Sequence, residues 1–154
     1  MAKILVADDE VDLEMLIKQK FRQKIREQQY EFIFAINGND ALEKILLHPD
    51  VDIVLTDINM PEMDGLTLLS RLGESSPLIK AVIVSAYGDM DNIRTAMNRG
   101  AFDFITKPIN FEDLSVTMEK TIRHVTQVRE TLKAIKENNI LKMYVVSSLN
   151  PLNA

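Results

Sequence analysis

The segment VDIVLTDINMPEMDGLTLLSRL, residues 51–72, runs through a strand, a turn and a helix. Val51–Thr56 is a near-continuous apolar run rich in Val and Ile, the pattern of a strand covered on both faces. Asp57 follows it, and Pro61, Asp64 and Gly65 are turn formers. Leu66, Leu68, Leu69 and Leu72 then recur at helical spacing, and Gly73 is expected to close that helix. A strand covered on both faces that feeds an amphipathic helix is the repeating unit of a parallel α/β sheet.

The same alternation extends in both directions. Lys3–Ala7, Glu31–Ile36, Ala81–Ser85 and Phe102–Thr106 give four more strands. Leu13, Leu16, Ile17, Phe21 and Ile25 mark a first helix, and Ala41, Leu42, Ile45 and Leu46 a second. Ile93, Ala96 and Met97 mark a fourth, ending near Gly100. A fifth starts after Asn110, a suitable N-cap, with Asp113 at its third position. The order βαβαβαβαβα predicts right-handed crossovers and helices on both faces. The predicted fold is α/β: a flavodoxin-like, doubly wound, five-stranded parallel sheet of order 2-1-3-4-5, with an extended C-terminal helix.

A chain of 154 residues suits one domain with an appended segment. Its 46% hydrophobic and 27% charged content is that of a globular protein and not of a disordered one. There is no Cys, which excludes disulfides, thiolate metal sites and Cys nucleophiles. A net charge of −5 argues against nucleic-acid or anionic-membrane binding. The apolar run Ile4–Ala7 is too short for a signal peptide, and no stretch approaches the ~18 residues of a membrane span. These features predict a cytoplasmic protein.

Charge is unevenly placed. Residues 1–122 hold 13 basic and 21 acidic residues, a net −8, whereas residues 123–142 sum to +3 and residues 143–154 carry no charge. An acidic body, a basic helix and a neutral tail are the expected parts.

In this strand order ligands bind where the first and third strands diverge, outside their carboxyl ends. Asp8 and Asp9 follow the first strand, and Asp57 ends the third. Three carboxylates in one crevice repel unless a cation joins them, and hard oxygen donors select Mg2+ or Mn2+. Ser85 ends the fourth strand, and Lys107, followed by Pro108, ends the fifth. A carboxylate can attack phosphorus and form an acyl phosphate, while a cation and a lysine neutralise the transferring oxygens. No glycine-rich nucleotide loop is present, so the donor is expected to be a protein or a small phosphorylated molecule.

ILVADDE, IVLTDINMPEMDGL, VIVSAYGD and AFDFITKP, in that order, closely resemble the receiver domain of two-component response regulators over residues 3–125. The resemblance implies that Asp57 is the phosphoacceptor. It implies that Asp9 ligates Mg2+ directly, that Asp8 does so mainly through water, and that Asn59 adds its backbone carbonyl. Ser85 matches the switch hydroxyl, Phe104 the aromatic switch, and Lys107 the conserved-type lysine with a cis bond to Pro108. A histidine kinase or phosphotransfer protein is the implied donor. The surface of the fourth helix, fifth strand and fifth helix is the implied output, through a homodimer or an effector. The basic run Lys18, Lys20, Arg22, Lys24, Arg26 is a solvated face that the resemblance also makes part of a kinase docking surface. Only self-phosphorylation from small donors and slow self-dephosphorylation are implied, not enzymatic turnover. His48 is expected in a loop, and the residues flanking His124 lack the acidic neighbour of a phosphoaccepting histidine.

The domain is expected to occupy residues 1–125, with the last helix extended over 126–142 and a linker or tail over 143–154, where Asn150–Pro151 forms a turn. Val125, Val128, Leu132 and Ile135 step by 3, 4 and 3 residues, a heptad seam that reaches Asn139 before Lys142 interrupts it. This suits a parallel coiled-coil signalling helix. The alternative is a helix packed on its own domain. No effector such as a helix-turn-helix follows in the chain. Two other functions stay open: a constitutive dimerisation module with vestigial phosphorylation, and an Mg-dependent phosphohydrolase with an Asp nucleophile. The latter pattern would separate the two Asp by one residue and add a cap, neither of which is present.

Overall fold

The computed structural model describes residues 1–149 of the chain. Its strands are β1 (Ala2–Ala7), β2 (Tyr30–Ala35), β3 (Ile53–Asp57), β4 (Lys80–Ala86) and β5 (Asp103–Lys107). They form one parallel sheet in the predicted order β2-β1-β3-β4-β5. The helices are α1 (Val11–Lys20), α2 (Arg22–Arg26), α3 (Gly38–Leu47), α4 (Gly65–Ser75), α5 (Met90–Asn98) and α6 (Phe111–Leu149).

Strand alternation sorts the core into two layers. Ile4, Val6, Ile53, Leu55, Val82, Val84 and Ile105 face α1 and α6, where Leu13, Ile17, Phe21, Leu114 and Met118 meet them. Leu5, Ala7, Val54, Ala81 and Ile83 face the other way, onto Ala41, Ile45, Leu68, Leu69, Leu72 and Ala96 of α3, α4 and α5. Fourteen of the 18 residues of the three inner strands are therefore buried, the exceptions lying at the ends of β1 and β4, as the continuous apolar runs require. Each fully buried Leu or Ile contributes about 1.5–3 kcal/mol relative to exposure.

Three helices differ from the periodicity. The first predicted helix is divided at Phe21, which leaves helical geometry (φ −104°, ψ 19°) while its ring packs on Tyr30 and Phe32. Consequently the fourth and fifth predicted helices are α5 and α6. Helix α4 passes Gly73, which is exposed and open, and stops at Ser75, before Pro77. Helix α6 passes Lys142 and continues to Leu149, so the first seven residues of the predicted tail are helical. Asn150–Pro151 lies outside the described residues.

The predicted start of α6 is as expected. Asn110 Oδ1 accepts from the N–H groups of Glu112 (2.9 Å) and Asp113 (3.2 Å). Leu114, Met118 and Thr121 are buried, Val125 is 4% exposed, and Val128 is half-buried. Arg129 then pairs with Asp52, whose other oxygen accepts the Lys3 N–H at 2.8 Å. From there to Ser148 every residue is exposed. Packing on its own domain thus accounts for α6 only as far as Val128 and the Arg129 ion pair.

Candidate functional site

The chain passes from β1 to β2 on one side of the sheet and returns through β3 on the other, so the loops after β1 and β3 lie side by side. Ala7 pairs with Thr56, which puts Asp8 and Asp57 at the same edge. A carboxylate oxygen from each of Asp8, Asp9 and Asp57 lies within 4.8 Å of the others. Asp8 and Asp57 are buried, and Asp9 is exposed.

Lys107 reaches this cluster from β5. Strands β3 and β5 flank β4, a separation of roughly 10 Å. An extended lysine stem opposite an Asp spans that gap, and Lys107 Nζ donates to Asp57 Oδ2 at 2.9 Å. It also stands 3.4 Å from Asp8 Oδ2 and 3.7 Å from Glu10 Oε1. The Lys107–Pro108 bond is cis. Asp57 Oδ1 accepts from the Asn59 N–H at 3.3 Å, and Asp8 Oδ1 accepts from the Glu10 N–H at 2.8 Å.

Burial pushes the Asp8 carboxyl above its ordinary value. The Glu10 N–H and Lys107 oppose this, and the neighbouring Asp57 charge adds to it. Burial would lower the Lys107 ammonium, but its hydrogen bond to Asp57 and the charges of Asp57, Asp8 and Glu10 hold it above its ordinary value. Three carboxylates against one lysine leave an excess of negative charge on an oxygen-only donor set. That donor set fits a divalent hard cation held by Asp8, Asp9 and Asp57.

The other predicted residues lie around this centre. Ser85 is 1% exposed at the end of β4, and its hydroxyl donates to Asp89 Oδ2 at 3.4 Å. Asn92 Nδ2 donates to the same oxygen at 2.9 Å. Phe104 is on β5 and 38% exposed. Asn59 is exposed on the loop after β3. Asp64 caps α4 by accepting from the Thr67 N–H at 2.8 Å. His48 is the C-terminal cap of α3, and the half-buried His124 ring packs on Phe102 at 4.9 Å between centroids. Glu10 and Asp89 were not singled out from sequence. Each is an ordinary loop carboxylate until the fold sets it beside Lys107 or Ser85.

Residues 4–119 match the family model described as the response regulator receiver domain. The chain is 30% identical over 132 residues to the transcriptional regulatory protein ZraR of Escherichia coli, covering 86% of this chain and 29% of that protein. It is 34% identical over 94 residues to the DNA-binding transcriptional regulator NtrC of Salmonella typhimurium, covering 61% and 20%. The chain therefore spans less than a third of the length of these relatives. Among solved structures, a response regulator receiver domain protein from Clostridium thermocellum aligns with a TM-score of 0.71 at 29% identity, covering 83% of this chain and 99% of that one. NtrX from Brucella abortus aligns with a TM-score of 0.75 at 30% identity, covering 87% and 30%. With the match extending over most of the folded body, and five strands in the order that brings Asp8, Asp9, Asp57 and Lys107 together, the chain belongs to the response regulator receiver domain family.

Proposed function

We propose that this receiver domain is a phosphorylation switch whose acceptor is Asp57. The observation that carries the reading is Lys107 Nζ at 2.9 Å from Asp57 Oδ2, at the mouth of a three-carboxylate cluster. The donor is a phosphohistidine of a histidine kinase or phosphotransfer protein. An Asp57 carboxylate oxygen forms the new bond to phosphorus, and the P–N bond to the donor imidazole breaks. The imidazole nitrogen keeps the electron pair and takes a proton from solvent. Lys107 orients Asp57 and pairs with a phosphoryl oxygen. Mg2+, or Mn2+ in its place, would be held by Asp8, Asp9, Asp57 and the Asn59 carbonyl, and when bound it supplies positive charge at the transferring oxygens. Water later hydrolyses the acyl phosphate and resets the switch. The chain is on this reading a switch and not an enzyme, and it works in the cytoplasm.

The output follows from a local charge event. The aspartyl phosphate draws the Ser85 hydroxyl away from Asp89. Phe104, exposed on β5, rotates into the space that Ser85 leaves. The α5–β5–α6 surface changes shape, and α6 transmits the change to a second copy or to an effector domain. Exposed Leu132 and Ile135 on α6 favour the homodimer, and they also suit the second reading, a constitutive dimerisation module. Among the described residues no helix is long and apolar enough to cross a membrane.

Intact mass after incubation with acetyl phosphate and Mg2+ tests the acceptor. One phosphoryl group is gained by the wild type and none by Asp57→Asn. Labelling that persists in Asp57→Asn would reassign the acceptor. Size exclusion of the same samples separates the two readings, because a dimer that forms without label supports the constitutive module. Phe104→Ala should label normally and lose the shift to dimer. A retained shift would remove Phe104 from the switch.

A further inference from the structure

The loop of residues 58–64 carries Asn59 and joins Asp57 to α4, and it is held at both ends. At its base the Gly65 N–H donates to the Ile58 carbonyl at 2.8 Å. At its tip the turn between β2 and α3 grips it. The Gly38 N–H donates to the Met63 carbonyl at 3.0 Å, and Asn37 Nδ2 donates to Glu62 Oε2 at 3.3 Å.

Both tip contacts are tightly specified. Asn37 is 7% exposed, and its Oδ1 accepts from the Asp40 N–H at 2.8 Å as the cap of α3. Oδ1 is thereby committed to the helix, which leaves the amide nitrogen for Glu62. At Gly38 an added Cβ would stand 2.6 Å from Met63 Cγ and 2.9 Å from Met63 Cβ. The only glycines with positive φ among the described residues are Gly88 and Gly100. Close approach, and not backbone conformation, is therefore what requires glycine at position 38. Glu62 itself sits at φ +64°, in the left-handed region that disfavours a side chain, so the loop needs outside contacts to hold this shape.

We infer that Asn37 and Gly38 are positioning residues for the acidic site. Their hydrogen bonds go to Glu62, Asp40, Met63 and Ala41 and not to the carboxylates of that site. Through Met63 and Glu62 they fix the loop that places Asn59 against Asp57. The inference rests on the phosphoacceptor reading.

The test compares full-length wild type, Gly38→Ala, Gly38→Ala with Met63→Ala, and Glu62→Ala. Mg2+ affinity is measured by titration calorimetry, the Asn59 amide by NMR, and Tm by thermal unfolding. Gly38→Ala should weaken Mg2+ binding about tenfold, the scale on which residues behind metal ligands act, and move the Asn59 amide. The double variant should recover most of the affinity, because Met63→Ala removes the clash, while its Tm falls further through lost apolar contact. Affinity that rises as stability falls is not the signature of a merely structural role. Glu62→Ala changes an exposed side chain, folds whatever Gly38→Ala does, and should bind Mg2+ roughly threefold more weakly through loss of one hydrogen bond.

A wild type that binds Mg2+ and labels, with variants that match it and an unmoved Asn59 amide, overturns the inference alone. A double variant that recovers nothing overturns it as well. A wild type that neither binds Mg2+ nor labels overturns the phosphoacceptor reading first and the inference with it.

Discussion

Asp8 is a buried carboxylate with a like charge beside it, and its cost is present whenever no cation is bound. Asn at this position keeps an acceptor for the Glu10 N–H and loses the charge. Asp8→Asn is expected to raise the Tm of the metal-free protein by roughly 2–4 °C, what ~1 kcal/mol amounts to in a domain of this size. It should also abolish stabilisation by Mg2+. The pH dependence has a definite sign. The folded state holds the Asp8 proton more tightly than the unfolded state does, so metal-free stability rises as pH falls through the raised folded value toward the ordinary 3.8. The Asn variant should lack that component. Lys107 does not interfere, because its raised value makes its contribution complete at neutral pH and lost only at alkaline pH. Thermal scans of both proteins with EDTA, between pH 7 and pH 4, check this. A Tm for Asp8→Asn at or below wild type at pH 7 would mean that the Lys107 contact outweighs burial. Such charges were legible in sequence because each follows a strand, and strand ends converge in a doubly wound sheet. Asn37 and Gly38 were not legible. Their role depends on a contact with residues 62 and 63, across two loops that no periodicity relates.

At the scale of elements, the five strands followed from five apolar runs, since a strand buried on both faces favours a continuous apolar composition, whereas their order came from the flavodoxin-like template and not from the runs themselves. Helix ends were harder to place. Gly73 reads as a stop, but an exposed glycine costs an established helix only about 1 kcal/mol, and Pro77 is the real barrier. Phe21 reads as one more position on an apolar face, yet aromatic packing on β2 turns the backbone there. Lys142 interrupts an apolar seam without interrupting backbone hydrogen bonds, so α6 ignores it. The two halves of α6 should respond differently to truncation of a side chain. Leu114 is 0% exposed, and Leu114→Ala should cost about 2–5 kcal/mol in urea unfolding. Leu132 is 45% exposed, and Leu132→Ala should change monomer stability by less than about 0.5 kcal/mol. If the exposed stripe is a dimer seam, the same Leu132→Ala weakens self-association of the labelled protein, which sedimentation velocity measures. Equal losses of monomer stability in both variants would instead mean that the distal helix folds back onto the body.

On the proposed reading, the whole molecule separates reception from output along the sheet. Asp57 ends β3 at one edge, and Asp52 precedes β3 at the opposite edge, where Arg129 of α6 pairs with it. One strand of about 17 Å therefore links the proposed acceptor to the base of the projecting helix. The projecting part, residues 129–149, is roughly 30 Å long, and beyond its ion pair it has exposed positions throughout as far as Ser148. Charge divides in the same way, with the acidic excess in residues 1–122 and the basic excess in residues 123–142. A body that buries its core without the projection should work without it. A chain ending after Arg129 keeps the Asp52 ion pair and both core layers. It should unfold at the same urea concentration as the full chain, within error, and accept a phosphoryl group from acetyl phosphate at the same rate. It should also stay monomeric when labelled, because the stripe containing Leu132 and Ile135 is gone. Labelling that slows with the projection removed would mean that α6 acts back on the acceptor. Binding energies are reciprocal, so a projection that assembles when Asp57 is modified must also favour modification once it is assembled. In the full chain that reciprocity predicts a larger labelled fraction at equilibrium with a phosphorylated donor protein, at protein concentrations high enough for dimers to form, and no concentration dependence in the shortened chain. The labelled fraction at equilibrium, measured across a concentration series of each protein, decides between coupled reception and output and two functions that merely share a sheet.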